Sequence, residues 1–196
     1  MLHAALALLL LIAPPPAPSQ PQPSIPKETF VAEKDKPADA KSVSAARKSA
    51  KKGDTVVIEA KVGGRAEPFV KNRAIVMVAD RSLRSCDQIP GDTCAKPWDY
   101  CCEPPESKRA NMMTIQFVGA DGKPLKVGAQ GAGGLEPLRL VTFEGTVAEI
   151  DDKGNFVVHV KRMHVEVPEA KDAKDATDTK NAKDAGKSPA AGESAR

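Results

Sequence analysis

The sequence predicts a mostly β fold, a small five-stranded antiparallel barrel preceded by a short helix. Three observations lead to it. Five segments between residues 55 and 167 have the length and side-chain pattern of strands, and glycine-rich or polar turns separate them. No long helical period connects two of the strands, as a parallel crossover would require. The chain has 196 residues, and its middle part has the ordinary size of one domain.

The predicted domain, residues 39–168, begins with a short helix. Asp39 is the candidate N-cap, good helix formers follow it, and Gly53 ends the helix. Residues 55–62 then alternate between apolar and polar side chains, which predicts a strand with one buried face. Residues 74–80 are apolar almost throughout, which predicts a central strand buried on both faces.

Three further strands complete the predicted barrel. Residues 112–118 alternate, and residues 140–150 alternate as far as Gly145, where the pattern predicts a bend or bulge. Residues 156–167 follow a DDKGN turn and form the hairpin partner of the preceding strand. Their alternation slips near Lys161, which indicates a second bulge.

Two stretches resemble a known fold family. The run KKGDTVVIEAKVGG leads from a helix end into a strand that closes on paired glycines, and TFEGTVAEIDDKGNFVVHVKRMHVE forms a long hairpin. Both are similar to the opening and closing strands of the OB-fold, particularly in exported bacterial proteins of unknown function that carry a PWDYCCE stretch. The resemblance covers about residues 40–167. It implies an OB-like barrel and no particular activity.

The chain departs from the OB-fold pattern in two places. The helix that usually links the third and fourth strands would fall within GADGKPLKVGAQGAGGLEPLRL, which is too rich in Gly and Pro to hold it. The loop between the second and third strands has grown into a cysteine insert, residues 86–106, which holds every cysteine of the chain.

The two ends of the chain differ in composition from the domain. Residues 1–19 contain an unbroken apolar run from Ala4 to Ala13, which predicts a signal peptide and export to the periplasm or beyond the cell. Residues 20–38 are predicted as a flexible linker. Residues 169–196 repeat Lys, Asp and Ala without apolar periodicity, so we expect a disordered tail. No later segment predicts a membrane span, and whether the leader is cleaved or retained stays open.

The charge distribution argues against a nucleic-acid partner. The net charge is +3, but residues 53–168 hold fifteen Lys and Arg against sixteen Asp and Glu. A protein that binds phosphates gathers its basic residues on the folded surface. An OB-fold that binds single strands also needs aromatic rings on its second and third strands, whereas the solvent-side residues predicted here are Val76, Val78, Thr114 and Gln116.

The four cysteines predict a disulfide role, because an even number of them lies close together in a chain that is predicted to be exported. Neighbouring Cys101 and Cys102 are poorly placed to pair with each other. Two connectivities therefore stay open, Cys86 with Cys101 and Cys94 with Cys102, or Cys86 with Cys102 and Cys94 with Cys101. The alternative is a metal-binding or thiol-redox centre, although the spacing C-x7-C-x6-C-C contains no pair of zinc knuckles.

Trp98 and Tyr100 are the candidate ligand-binding residues. They are the only Trp and Tyr of the chain and both lie in the cysteine insert, where they form an aromatic platform or pack under the disulfides. The chain shows no catalytic motif, and we assign no catalytic residue, cofactor or metal ligand. The sequence thus predicts an exported, non-enzymatic binding module for a protein or an envelope glycan, with the oligomeric state open.

Overall fold

A closed five-stranded barrel forms the centre of the computed structural model, which describes residues 24–167. The predicted signal peptide and C-terminal tail lie outside the described residues. The strands and α-helices are β1 Lys41–Ser42, α1 Val43–Ser49, β2 Thr55–Val62, β3 Ile75–Ala79, α2 Pro105–Asn111, β4 Met112–Gln116, β5 Leu140–Ile150 and β6 Phe156–Val165. Around the barrel the neighbouring strands follow the order β2, β3, β4, β6 and β5, and β5 pairs with β2 to close it.

The barrel is mixed, so the prediction of a purely antiparallel barrel is wrong. β4 and β6 run parallel, with Thr114 opposite Val157, whereas the other four pairings around the barrel are antiparallel. The reason is geometric. Strand direction must alternate around an antiparallel barrel, and an odd number of strands cannot alternate around a closed ring. The short strand β1 adds a second parallel pairing on the outside of β2.

Along each strand, alternate side chains point into the barrel interior and form its core. The core holds Ile58 from β2, Ile115 from β4 and Phe143 from β5, all of them fully buried. In β3 the interior side chains are Val76 and Val78, which corrects their predicted place on the solvent side. Ile75 and Met77 of β3 point outward instead and are half-buried, whereas Ala79 is buried with Leu83 and Tyr100.

The two irregularities predicted at Gly145 and near Lys161 lie opposite each other and form a single bulge of the β5–β6 hairpin. Glu144 pairs with Arg162 and Gly145 pairs with Val160, so Lys161 is the extra residue on β6. A Cβ atom on Gly145 would lie 2.3 Å from the backbone oxygen of His159, so no larger residue fits at this position. The bulge bends the hairpin, which lets β5 reach β2 on one side and β6 reach β4 on the other. A second bulge, which the sequence does not predict, leaves Ala148 of β5 without a partner in β6.

Helix α1 begins later than the sequence predicts. Its N-cap is Ser42, whose hydroxyl accepts a hydrogen bond from the backbone nitrogen of Ala45, whereas Asp39 lies outside the helix. The carboxylate of Asp80, at the end of β3, accepts a second hydrogen bond from the backbone nitrogen of Ser44 at 2.9 Å. Asp80 therefore ties the start of α1 to the barrel.

The residues predicted as a flexible linker are packed where the structure describes them. Ile25 is buried, and the Phe30 ring lies against Gly133 and 5.8 Å from the ring of Phe117. The backbone nitrogen of Val31 donates to the carbonyl of Met163 in β6 at 2.8 Å. Residues 24–38, called the N-terminal segment below, thus lie against the barrel.

Two polar contacts continue this attachment. The Nε2 atom of His164 lies 2.6 Å from a carboxylate oxygen of Glu33, and Lys36 forms an ion pair of 2.8 Å with Glu166.

Among residues 24–167, no helix combines the length and the apolar character that crossing a bilayer requires.

Candidate functional site

The connection between β3 and β4, residues 80–111, contains the cysteine insert and is seated on the barrel at a pair of glycines. The backbone nitrogen of Gly64 donates to the carbonyl of Trp98 at 2.7 Å. A Cβ atom on Gly63 would lie 2.7 Å from that same carbonyl and 2.9 Å from the ring of Tyr100. Gly64 has a backbone φ of +107°, a conformation that residues with a side chain rarely adopt. The paired glycines that end β2 therefore let the connection approach the barrel closely.

The structure separates the two aromatic residues that the sequence groups together. Tyr100 is fully buried with Leu83 and Ala79, so it offers no surface to a ligand. Trp98 is half-buried, and its indole nitrogen donates to the carbonyl of Ala66 at 3.1 Å. An aromatic platform made of both rings is thus absent, and Trp98 serves first as an attachment to the segment after β2.

The four cysteines lie together, and no disulfide joins them. The Sγ atom of Cys101 is 3.5 Å from that of Cys86, 3.7 Å from that of Cys94 and 3.9 Å from that of Cys102. Cys86 also lies within 4.8 Å of Cys94 and of Cys102. A disulfide bond is only about 2.05 Å long, so the predicted disulfides are absent here. We call these four residues the thiol cluster.

Turns of the backbone bring the four thiols together although the cysteines are widely spaced in the sequence. Cys86 opens a short 3-10 helix, and Tyr100 adopts a left-handed conformation with a φ of +56°. The left-handed turn directs the chain back, so that Cys101 meets residues far before it in sequence. Asp92 shapes the middle of the connection, because its carboxylate accepts hydrogen bonds from the Cys94 backbone nitrogen and the Cys102 thiol.

Hydrogen bonding divides the thiols into acceptors and donors. Burial opposes ionisation of Cys86, but hydrogen bonds from Cys101 and its neighbours outweigh burial and lower the pKa of Cys86. The hydrogen bonds of Cys101 with the other three thiols raise its pKa to about 12. The hydrogen bond to Asp92 raises the pKa of Cys102. Cys86 therefore ionises more readily than Cys101 and Cys102.

A buried lysine supports the base of the connection. Lys61 of β2 is only 9 % exposed, and its Nζ atom donates to Ser85 at 3.4 Å and to Gln88 at 3.3 Å. Burial lowers the pKa of Lys61, and the nearby carboxylate of Asp87 opposes that shift. The contacts link the barrel wall to the turn that carries Cys86.

A second candidate site is a groove of about 360 Å³ on the outer face of β3, β4 and β6. Its rim holds three cations, Arg65, Lys108 and Arg109, and none of them forms an ion pair within residues 24–167. Its floor includes the half-buried side chains of Met77, Met112, Thr114 and Val157. Among the residues that the structure describes, no carboxylate lines this groove, which we call the cationic groove.

Sequence reasoning missed the cationic groove because its three cations are far apart in the chain. Arg65 follows β2, whereas Lys108 and Arg109 lie on α2, a helix within the connection that the sequence analysis did not predict. The segment PPESKRAN does carry a helix signal, with proline at the first helical position and basic residues in the last turn.

The adjoining groove beside α1 and α2 is different in charge. It has a volume of about 430 Å³ and is lined by Arg47 and Arg109 together with Glu106, Asp151 and Asp152. Arg47 is also engaged in the fold, because its guanidinium donates to the Met112 carbonyl at 2.6 Å. Its three carboxylates outnumber its two cations, so it offers no net positive charge to an acidic ligand.

Comparison with protein-family models and with curated proteins finds no match for this chain.

Proposed function

We propose that this chain is an exported, non-enzymatic, OB-like binding module that holds an acidic peptide segment of a partner protein in the cationic groove. The observation that carries the proposal is the groove itself, whose rim has three cations and whose lining has no carboxylate. Export rests on the apolar run of residues 4–13 and remains part of the proposal.

The position of the groove on the barrel supports a binding role. OB-folds bind extended ligands on the face of their second and third strands and through the adjoining loops. In this chain the corresponding strands are β3 and β4, and Met77 and Thr114, which pair across them, both line the groove. Arg65 comes from the loop after the first barrel strand.

The chemistry of the groove favours a peptide over a glycan or a nucleic acid. Met77 and Met112 offer flexible, polarizable surface that adapts to aliphatic side chains. Between residues 24 and 167, the only aromatic residue that lines the groove is Phe156, which is buried in the barrel and gives no stacking surface to a base. The cations on the rim attract carboxylates and add a preference for acidic residues.

The test measures binding of a fluorescent synthetic peptide of alternating Glu and Leu residues to the full chain by polarisation. We expect Arg65→Glu and Lys108→Glu each to weaken binding by about tenfold, equivalent to about 1.4 kcal/mol. We also expect added salt to weaken binding, because exposed charges are screened.

The matched control is Lys71→Glu, which reverses an exposed charge away from the groove and should leave affinity unchanged. Equal weakening by the control would show that only the net charge matters, and the site would be rejected. Oligothymidine or an anionic glycan that binds more tightly than the peptide would overturn the choice of ligand.

A further inference from the structure

The thiol cluster has the dimensions of a metal site. A zinc–thiolate bond is about 2.3 Å long, so two sulfurs on one tetrahedral zinc ion lie roughly 3.8 Å apart. The three closest separations in the cluster, from Cys101 to Cys86, Cys94 and Cys102, are 3.5, 3.7 and 3.9 Å. These three of the six separations scatter around the tetrahedral value and are far longer than a disulfide bond. Cys86 lies within 4.8 Å of Cys94 and of Cys102, and the Cys94–Cys102 separation is longer, so binding of the ion must draw these two sulfurs together.

We propose that Cys86, Cys94, Cys101 and Cys102 bind one Zn²⁺ ion as four thiolates, and that this ion fixes the β3–β4 connection on the barrel. Binding is independent of the ligand proposed for the cationic groove. Each cysteine enters the complex as a thiolate, so the protons that the thiols carry pass to solvent as the ion binds.

Soft sulfur donors select the metal. Thiolates prefer zinc and other thiophilic ions, whereas calcium and magnesium require oxygen ligands. The carboxylate of Asp92 also lies within 4.8 Å of Cys86 and Cys94, but it already accepts hydrogen bonds from the Cys94 nitrogen and the Cys102 thiol. We therefore assign Asp92 to the surroundings of the site, where it orients the ligands.

Turns in the folded connection bring the four cysteines together, which their spacing in the sequence alone does not do. Zinc knuckles place two cysteines near one ion through a tight turn between them. Here the 3-10 turn at Cys86 and the left-handed Tyr100 perform that task from opposite ends of the connection. Cys86 is buried, whereas Cys101 and Cys102 are exposed, so an ion can enter from solvent.

A structural role for the ion follows from the small apolar core of the connection. Leu83 and Tyr100 pack with Ala79 of β3 in a cluster separate from the barrel core. Four thiolates on one ion close a site without an open position for a substrate, as in structural zinc sites. The ion thus acts as a cross-link that holds residues 86–102 together.

The first experiment determines the metal content of the full chain, purified without added metal and with a phosphine reductant, by mass spectrometry. We expect one zinc per chain. Cobalt titrated into the zinc-free protein should produce thiolate charge-transfer absorption and the intense visible bands of a tetrahedral complex. Stoichiometric copper or iron would overturn the choice of metal, and two disulfides that bind no metal after reduction would overturn the site.

Variants test the ligand set. We expect Cys86→Ser and Cys101→Ser each to weaken cobalt binding by more than about 100-fold, the upper end for residues that only support ligands. Asp92→Asn should keep the tetrahedral absorption, and its loss in this variant would refute the four-thiolate assignment. The control is Ser107→Ala in α2, a side chain outside the cluster, which should bind cobalt as the wild type does.

A measurement on the wild type avoids variants that fail to fold. Zinc should protect all four thiols from alkylation, and a chelator should restore their reactivity. Hydrogen exchange should then rise in residues 80–111 and stay unchanged in the barrel strands. Equal alkylation with and without zinc would overturn the proposal.

Discussion

The barrel and the β3–β4 connection are stabilised in different ways. The barrel has one continuous core to which β2 to β6 all contribute buried apolar side chains. The connection buries little apolar surface, chiefly Leu83 and Tyr100, over more than thirty residues. Burial of apolar area provides most of the favourable free energy of folding, so only the barrel holds its conformation by this means.

The difference explains why the connection is rich in cysteine and the barrel has none. Where packing is sparse, a cross-link or a metal restricts the chain instead. The connection also depends on a few contacts with the barrel, at the paired glycines and at Lys61. Four destabilising substitutions test this division, each compared with a control variant or with the wild type, and the largest effect comes first.

Phe143→Ala should destabilise the barrel and the connection together. Phe143 is fully buried in the core, and truncation of such a ring costs about 3–5 kcal/mol of unfolding free energy. Chemical denaturation monitored by circular dichroism measures the loss. Val70→Ala, at a residue that is 39 % exposed, is the control and should stay within about 0.5 kcal/mol of the wild type.

Tyr100→Ala should release the connection and leave the barrel folded. Its ring is the largest in the small cluster beneath the connection, so we expect local opening of residues 80–111 to become easier by about 3 kcal/mol. Hydrogen exchange read by mass spectrometry locates the change. Protection lost equally in β5 would contradict a separate unit.

Tyr100→Phe is the matched variant. Within residues 24–167 no partner meets the buried Tyr100 hydroxyl with the distance and angles of a hydrogen bond, so its removal should leave stability unchanged or raise it by up to about 1 kcal/mol. A marked loss of stability would show that the hydroxyl has a partner in solution.

Gly63→Ala should separate the connection from the barrel by steric contact. The new methyl group would meet the Trp98 carbonyl and the Tyr100 ring at less than 3 Å. We expect a cost of about 1–3 kcal/mol, typical of overpacking, and faster exchange of the Gly64 amide. The control Gly53→Ala introduces a methyl group into open space, so it tests the cost of a positive φ alone.

Among the destabilising substitutions, Asp80→Asn should have the smallest effect, and its effect should depend on pH. Burial alone would raise the pKa of Asp80, but hydrogen bonds from the backbone of Ser44 and Ser82 outweigh it, and the pKa is lowered. The stabilisation of the wild type is thus present above the ordinary Asp pKa of about 3.9 and is lost as pH falls through the lower folded value. We expect the variant to be about 1 kcal/mol less stable than the wild type at neutral pH. Because Asn does not titrate, the variant's own free energy of unfolding should fall little further in acid. Thermal unfolding of both proteins at several pH values checks this, and parallel pH profiles would contradict it.

The sequence predicts the five barrel strands well because their burial depends on local alternation. Strands β2 and β5 have the predicted bounds, and the bulge opposite Gly145 lies at the predicted Lys161. The prediction for β3 was ambiguous, because residues 74–79 are all apolar and either set of alternate side chains could face inward. In the structure, Val76 and Val78 face the interior of the barrel.

The remaining features depend on contacts between distant residues. Nothing local in the N-terminal segment indicates that Phe30 fits over Gly133 and beside Phe117. The burial of Tyr100 likewise depends on paired glycines more than thirty residues earlier. The thiol cluster forms through turns whose left-handed residue is a tyrosine, which carries no signal for that conformation.

The register of β3 and β4 makes the connection a portable unit. Ala79 pairs with Met112, and the backbone nitrogen of Asp80 donates to the carbonyl of Asn111 at 2.7 Å, so the connection leaves and rejoins the sheet at adjacent points. A short hairpin turn can span the same gap, which allows the connection to be excised without lengthening either strand. Conversely, a graft of the connection onto another antiparallel hairpin would require the host strand alongside to provide the contacts of Lys61 and of the paired glycines.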